Sequence, residues 1–396
     1  MLKAVQLKPD VYWVGAIDWN ERNFHGYTMS RGTTYNAYLI LDQKVTLIDC
    51  VKGKFADELI QRVSSVIDPS KIDVIICNHA EMDHSGALPA MKALAPDAEV
   101  YASAPMGVKN ITGQVGDFGI QGVKDGETIN IGARDLTFVH TKMVHWPDNM
   151  VTLDAYDKIL FSNDAFGQHI ATSGRFDDEN DLDEVMASAH KYYANIVQPY
   201  RAQAAAATAA VCGLPEGTID MIAPAHGIIW RSHVDAILDA YKTTFTSGAL
   251  KEEAVVAYDT MWASTGAIAT AIADAFAAEG VQCRLMDLKD SHISDAADAF
   301  LEAKYLAVGS PTLNMQMMPN AAALLTYIKG LSPKNDGRKG IAFGSYGWSP
   351  VGIKNIAAEL EGAGFDVAEP IACQWVPTSE YLDGVAQTIH ELVAGE

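Results

Sequence analysis

Cysteine is scarce in this chain and badly placed for cross-linking. Only Cys50, Cys77, Cys212, Cys283 and Cys373 occur, an odd number without a C-x-x-C pair. That excludes a disulfide framework, argues against a cysteine-ligated zinc or iron–sulfur centre, and leaves the thiols as small apolar groups. Positive charge is also short: 29 Lys and Arg against 50 Asp and Glu give a formal charge of −21. Such a surface repels nucleic acid and anionic membranes and favours partners with basic patches. Every apolar run is short or interrupted, which excludes a membrane span, while 49% hydrophobic and 20% charged residues exclude disorder. Met1 to Val14 carries Lys3 but no apolar h-region or cleavage site, so a cytoplasmic address is expected.

What is present is length enough for two cores. A chain of 396 residues exceeds what one hydrophobic core usually supports. Thr34 to Cys50 reads as two β-rich runs joined by a polar turn at Asp42 to Lys44. Helical periodicity follows over Phe55 to Ile67, then a buried strand Asp73 to Cys77, a helix Ser85 to Leu94 and a strand Glu99 to Ala102. Further strands are expected at 136–140, 150–153 and 158–161, and one long helical stretch from Leu182 through Ala210. Beyond the small, polar connector Thr246 to Lys251 the pattern becomes regular. Five strands, at 254–258, 281–288, 305–309, 340–344 and 367–373, alternate with helices beginning near Thr265, Ile293, Pro319, Gly352 and after Ser379. The reading is a two-domain α/β protein, residues 1–249 and 250–396, the second a doubly wound parallel sheet with ligands at its strand ends.

The run His79-Ala80-Glu81-Met82-Asp83-His84 puts four potential metal ligands into six residues, in the loop between strand 73–77 and the next helix. His145, Asp164 and His226 each lie at or near a strand end and could close a two-metal cage. Imidazole mixed with three carboxylates suits a redox-active iron pair at least as well as zinc, which makes Glu81 the most telling residue. Lone histidines such as His140 and His169 read as surface or satisfied core residues. Asp49, ending strand 45–48, is placed to orient a ligand rather than to bind metal.

In the second half, Thr260-Met261-Trp262-Ala263-Ser264-Thr265 joins the first strand to a helix N-terminus and supplies hydroxyls and free amides for an anion. It lacks G-x-G-x-x-G and the G-K-S/T ending of a triphosphate loop, so a mononucleotide with a terminal phosphate fits better. Pro311-Thr312-Leu313-Asn314 and Ser345-Tyr346-Gly347-Trp348 follow the third and fourth strands, where a flavin ring would rest, with Trp348 or Tyr346 able to stack on it. Met315, Met317 and Met318 read equally as core or as a flexible rim.

The metal loop resembles the H-x-H-x-D-H loop of the metallo-β-lactamase superfamily, with Glu81 where that motif has its second histidine. With a flavodoxin-like domain behind it, the chain resembles the flavodiiron proteins over nearly its whole length. The resemblance implies an αββα sandwich holding two non-haem irons. His79, Glu81 and His145 would bind one, Asp83, His84 and His226 the other, and Asp164 would bridge them at a separation of about 3.5 to 4 Å. It further implies FMN, reduction of dioxygen to water and/or nitric oxide to nitrous oxide, and rubredoxin or a similar carrier as donor. A head-to-tail homodimer, or a tetramer built on it, is implied too. Because the sequence ends at Glu396 without a Cys-rich extension, the donor is expected to be separate. His25 and Tyr27 are candidates for proton donors or pocket walls, against simple loop packing, and Trp146 for a wall keeping the pocket dry. The competing reading is a dinuclear zinc hydrolase; a flavin-binding electron carrier with a structural metal half is a third.

Overall fold

The computed structural model describes residues 2–331 and 336–395. They form two compact units, one comprising Met1–His25, Met29–Tyr193 and Tyr200–Thr246, the other Gly26–Thr28, Ala194–Pro199 and Ser247–Glu396. Among the described residues no helix is long and apolar enough to cross a membrane.

The first unit is built on two stacked sheets. Strands Val5–Lys8, Val11–Trp13, Tyr38–Ile40, Thr46–Ile48, Val74–Cys77, Glu99–Ser103 and Gln121–Val123 lie side by side in that order, the last four mutually parallel. The predicted hairpin is the antiparallel pair Tyr38–Ile40 and Thr46–Ile48. Strands Thr128–Asn130, Asp135–His140, Met150–Asp154, Ile159–Asn163 and Met221–Pro224 make the second sheet. Side chains alternate across a strand, so Val74 and Ile76 meet Phe138, Phe161 and Ala223 between the sheets, while Ile75 and Cys77 meet Leu59, Val63, Leu88 and Met91 from the outer helices. A strand buried on both faces must be apolar throughout, which is why 74–77 reads Val-Ile-Ile-Cys. Helix Arg201–Cys212 sits on the far side of the second sheet, with Ala206, Ala207 and Ala210 facing Val151 and Leu160, and completes the αββα order.

In the second unit, five helices cover both faces of a wholly parallel sheet. Gln282–Asp287 is at one edge, followed by Lys251–Tyr258, Ala303–Gly309 and Lys339–Tyr346. Adjacent strands running from the centre toward opposite edges leave a crevice at their carboxyl ends, between the first and third in sequence.

Two expected elements are divided, each at a backbone constraint, and Val5–Lys8, Gln121–Val123 and helix Met106–Val115 are among the elements that form where none was expected. The single expected helix 85–94 is two, Met82–Ser85 and Leu88–Leu94, with a tight contact at Gly86, where a Cβ would lie 2.3 Å from Met82 O and 2.7 Å from Gly53 N. The helical stretch expected from 182 to 210 is helical throughout, but it passes from α-helix Leu182–Tyr192 through a π-helical turn Tyr193–Val197 and a 3-10 turn Gln198–Tyr200 into α-helix Arg201–Cys212, the change of geometry falling around Pro199, which has no N–H for the α-helical ladder. The last strand is split into Asp366–Val367 and Ile371–Gln374 by Pro370 for the same reason.

Candidate metal centre and cofactor cavity

Four strand ends of the first unit converge. Val74–Cys77 delivers His79 to His84, Ile159–Asn163 delivers Asp164, Met221–Pro224 delivers His226, and His145 lies in the loop entering Met150–Asp154. All seven predicted ligands meet there, and six are buried while His145 is partly so. Asp164 sits between two groups. Its Oδ2 lies 3.6 Å from His79 Nε2 and 3.7 Å from His145 Nε2, and both imidazoles also face Glu81 Oε2, at 3.3 and 3.2 Å. Its Oδ1 lies 3.2 Å from His84 Nε2 and 3.5 Å from His226 Nε2, and these face Asp83 at 3.3 and 3.4 Å. Each half thus offers two imidazoles and one carboxylate of its own, with one oxygen of a shared carboxylate.

This arrangement demands cations. Asp83 Oδ1, Asp83 Oδ2 and His84 Nε2 are buried without a hydrogen-bond partner, at a cost that coordination removes. Donor spacings of 3.2 to 3.7 Å and groups whose ligand atoms fall within 4.8 Å of one another fit a metal pair. Burial alone lowers an imidazole's pKa, yet hydrogen bonds to Asp148 and Glu81 bring His79 up to about 9. The Asp83 and Asp164 charges bring His84 to about 9, and the Asp164 and Asp83 carboxylates beside it bring His226 to about 10. Glu81 and Asp164 are held well below the usual carboxylate range against burial, chiefly by hydrogen bonds from His145 and His25 and by the His84 charge respectively.

Below about 9 the metal-free site holds protons on imidazoles that must be neutral to coordinate, so metal binding expels protons. Apparent affinity is therefore expected to climb as pH rises from 6 to 9, with proton release seen by calorimetry in buffers of different ionisation enthalpy. Equal affinity at both ends would contradict the protonated arrangement.

The outer partners are as specific as the ligands. His79 Nδ1 donates to Asp148 Oδ2 at 3.0 Å, and that carboxylate is fixed by Ala80 N at 2.8 Å and Asn110 Nδ2 at 3.0 Å. His226 Nδ1 donates to Thr34 O at 2.8 Å. Asp49 works one step further out than expected: it accepts from Asn78 N, Asn78 Nδ2 and Asn163 Nδ2, and Asn163 is what lies beside His84. Asp49 (φ 54°) and Asn163 (φ 52°) both hold left-handed backbone at strand ends, the kind of strain that collects around sites.

One face of the cluster is lined rather than ligated. His25 Nε2 is 2.5 Å from Glu81 Oε1, which raises the His25 pKa through that hydrogen bond. Phe24 lies 4.1 Å from the His25 ring, Tyr35 6.0 Å from His226, and Trp146 packs edge-on at 5.1 Å from His79. Behind His226, His169 hydrogen-bonds Thr33 Oγ1 at 2.7 Å and contacts Tyr192; it belongs to none of the ligand groups. His140 is occupied by Val123 O. Tyr27 falls in the second unit, buried in a segment beside helix Ile293–Phe300, where Thr28 N donates to Ser294 Oγ and the Tyr27 hydroxyl feels Asp298, Tyr327 and Asp295.

At the strand ends of the second unit lies a cavity of about 410 Å³. Of the residues expected to hold a flavin, Thr260, Met261, Trp262, Ser264, Pro311, Thr312, Ser345, Tyr346, Gly347 and Trp348 line it. Thr265 sits behind the wall, its hydroxyl bonded to Ser345. Leu313 and Asn314 belong to a tight turn in which Leu313 pairs Gln316 and Asn314 has φ 50°. Thr260 Oγ1 is buried without a partner before the N-terminus of helix Ser264–Ala278, as an anion site requires. Trp262 and Trp348 are 90% and 85% exposed, a large apolar rim on the cavity. Met317 packs into the core, whereas Met315 is exposed.

Residues 33–227 match the family described as ODP family beta lactamase, and residues 256–388 match Flavodoxin. The nitric oxide reductase of Moorella thermoacetica is 42% identical over 96% of both chains, and the rubredoxin-oxygen oxidoreductase of Megalodesulfovibrio gigas 41% over 98% of both. The crystal structure of the flavodiiron protein from Giardia intestinalis superimposes with a TM-score of 0.94 at 33% identity, covering 99% of this chain and 96% of that one. The chain belongs to the flavodiiron family. In this flavodiiron chain, sequence reasoning missed Asp148, Phe24 and Tyr192 in the first unit, and Trp375 and Val376 in the second, which also line the cavity. Only Asp148 left a trace, as the carboxylate three residues beyond His145 in a histidine-bearing loop.

Two substitutions test how this flavodiiron site is held. Asp148→Ala is expected to weaken metal binding about 10- to 100-fold, read as iron content under chelator challenge, because His79 loses the group that fixes its ring. Gly227 holds φ +82°, and a Cβ there would lie 1.7 Å from Gln168 Oε1 and 2.4 Å from Gln168 O. Gly227→Ala is expected to cost roughly 2 to 4 kcal/mol in denaturant unfolding and to disturb the adjacent His226.

Proposed function

We infer that this chain is an oxidoreductase that reduces dioxygen to water, nitric oxide to nitrous oxide, or both, at a non-haem diiron site fed through FMN. The observation that carries the reading is Asp164, one oxygen toward each of two equivalent donor groups. When bound, two irons and FMN together supply the four electrons that dioxygen needs, or the two that couple a pair of nitric oxide molecules. The chain's own residues do the rest. His79, Glu81 and His145 hold one metal, Asp83, His84 and His226 the other, and the carboxylates neutralise charge that imidazoles alone would leave. His25, touching Glu81, holds a proton where reduced oxygen must acquire one. Phe24, Tyr35 and Trp146 form apolar walls beside the histidines and limit water. In the second unit Thr260 and Ser264 hold the cofactor's phosphate, and Tyr346, Trp348 and the loop Pro311–Thr312 bound its ring. The division at residues 249 and 250 then separates a metal half from a flavin half.

The relatives' names support rubredoxin as donor and either gas as substrate. The exposed tryptophan rim supports a homodimer in which a second copy covers the cofactor edge. The test is to purify the protein without air, assay it for iron, zinc and FMN, reduce it chemically, add a measured amount of each gas and follow reoxidation and products. About two irons and one FMN per chain with stoichiometric gas consumption are expected. Zinc without flavin and no consumption of either gas would leave the hydrolase reading in its place.

A further inference from the structure

We propose that Trp375 is a ring-contacting wall of the flavin cavity and that Gly347 is glycine to make room for it. This rests on the flavin reading above but assigns a residue that the three loop motifs do not contain. Trp375 follows the last strand, and strand Ile371–Gln374 runs parallel to Lys339–Tyr346 with Gln374 opposite Tyr346. The register therefore sets Trp375 beside Gly347, in the loop carrying Trp348. Two hydrogen bonds tie the loops together: Trp375 N donates to Tyr346 O at 2.7 Å and Gln374 Nε2 to Gly347 O at 2.9 Å.

Two features make this more than a loop contact. Trp375 holds φ 64°, a left-handed backbone disfavoured for any residue with a Cβ, and such outliers persist where surrounding structure over-determines them, typically at ligand clamps. Its indole lies over Gly347 so closely that a Cβ there would be 2.9 Å from Cη2 and 3.0 Å from Cζ3. Yet the strain yields little burial, since Trp375 is 61% and Val376 75% exposed, and both line the cavity. A strained, poorly buried tryptophan gains from folding only if a flat apolar partner covers it, and a flavin ring is such a partner.

The test is titration of flavin-free protein with FMN and with riboflavin, which shares the ring and lacks the phosphate, following quenching of flavin fluorescence. Trp375→Ala is expected to raise Kd for both ligands by about tenfold and to leave bound flavin brighter, and Trp375→Phe to recover most of the loss. Gly347→Ala, by displacing the indole, is expected to weaken binding in the same direction, and adding it to Trp375→Ala to cost less than it does alone. Iron content serves as the control for folding. A Trp375→Ala protein that binds FMN as the wild type does overturns the assignment while leaving the flavin reading intact, and so does a loss seen with FMN but not riboflavin. A wild-type chain that takes up neither ligand overturns the flavin reading and this proposal together.

Discussion

Replacing Asp164 with alanine is expected to abolish consumption of both gases and to drop iron from about two per chain to one or none, while FMN stays bound. Asp164 is the only one of the seven that touches both donor groups, with an oxygen at 3.2 to 3.7 Å from each of His79, His84, His145 and His226. Its loss removes the group that sets the separation of the two metals. Asp164→Asn keeps the size and one acceptor but not the charge, so it is expected to retain more metal than alanine and still to lose turnover. Iron assay and gas uptake on the same samples separate metal loss from loss of chemistry. Undiminished uptake by the alanine variant would end the bridged-pair reading.

The second large effect is expected at Glu81. Its Oε2 faces His79 and His145 while Oε1 holds His25, so one carboxylate both completes a donor group and reaches the lined face. Glu81→His restores the second histidine of the H-x-H-x-D-H pattern and removes an anionic ligand. Bound metal is expected to move from iron toward zinc, and gas consumption to fall by on the order of a hundredfold or more, with FMN binding unchanged. Metal analysis of wild type and variant grown side by side decides it. Iron occupancy and turnover equal to wild type would show that the carboxylate does not set the chemistry.

The sequence read most clearly where chemistry is local. Four ligands within six residues behind an apolar strand needed no tertiary information, because the strand's buried character and the loop's donors are adjacent in the chain. The loops lining the cavity of the second unit were legible because each follows a strand of a regular alternation. Reading failed where a proline or a close approach breaks a period: at Gly86 and Pro370 the apolar pattern continues through a point the backbone cannot.

By itself, then, the sequence determined the α/β class, the two cores, the seven candidate donors with Glu81 among them, and the three loops that meet at the cavity of the second unit. Only the tertiary structure decided that Asp164 stands between two donor groups, that Asp148 rather than Asp49 fixes His79, that His25 meets Glu81, and that Trp375 closes on Gly347. The reason is physical. Side-chain type and periodicity report which groups are buried and what they can bind. The distance between residues far apart in sequence is set by strand register and loop course, which no short window of residues encodes.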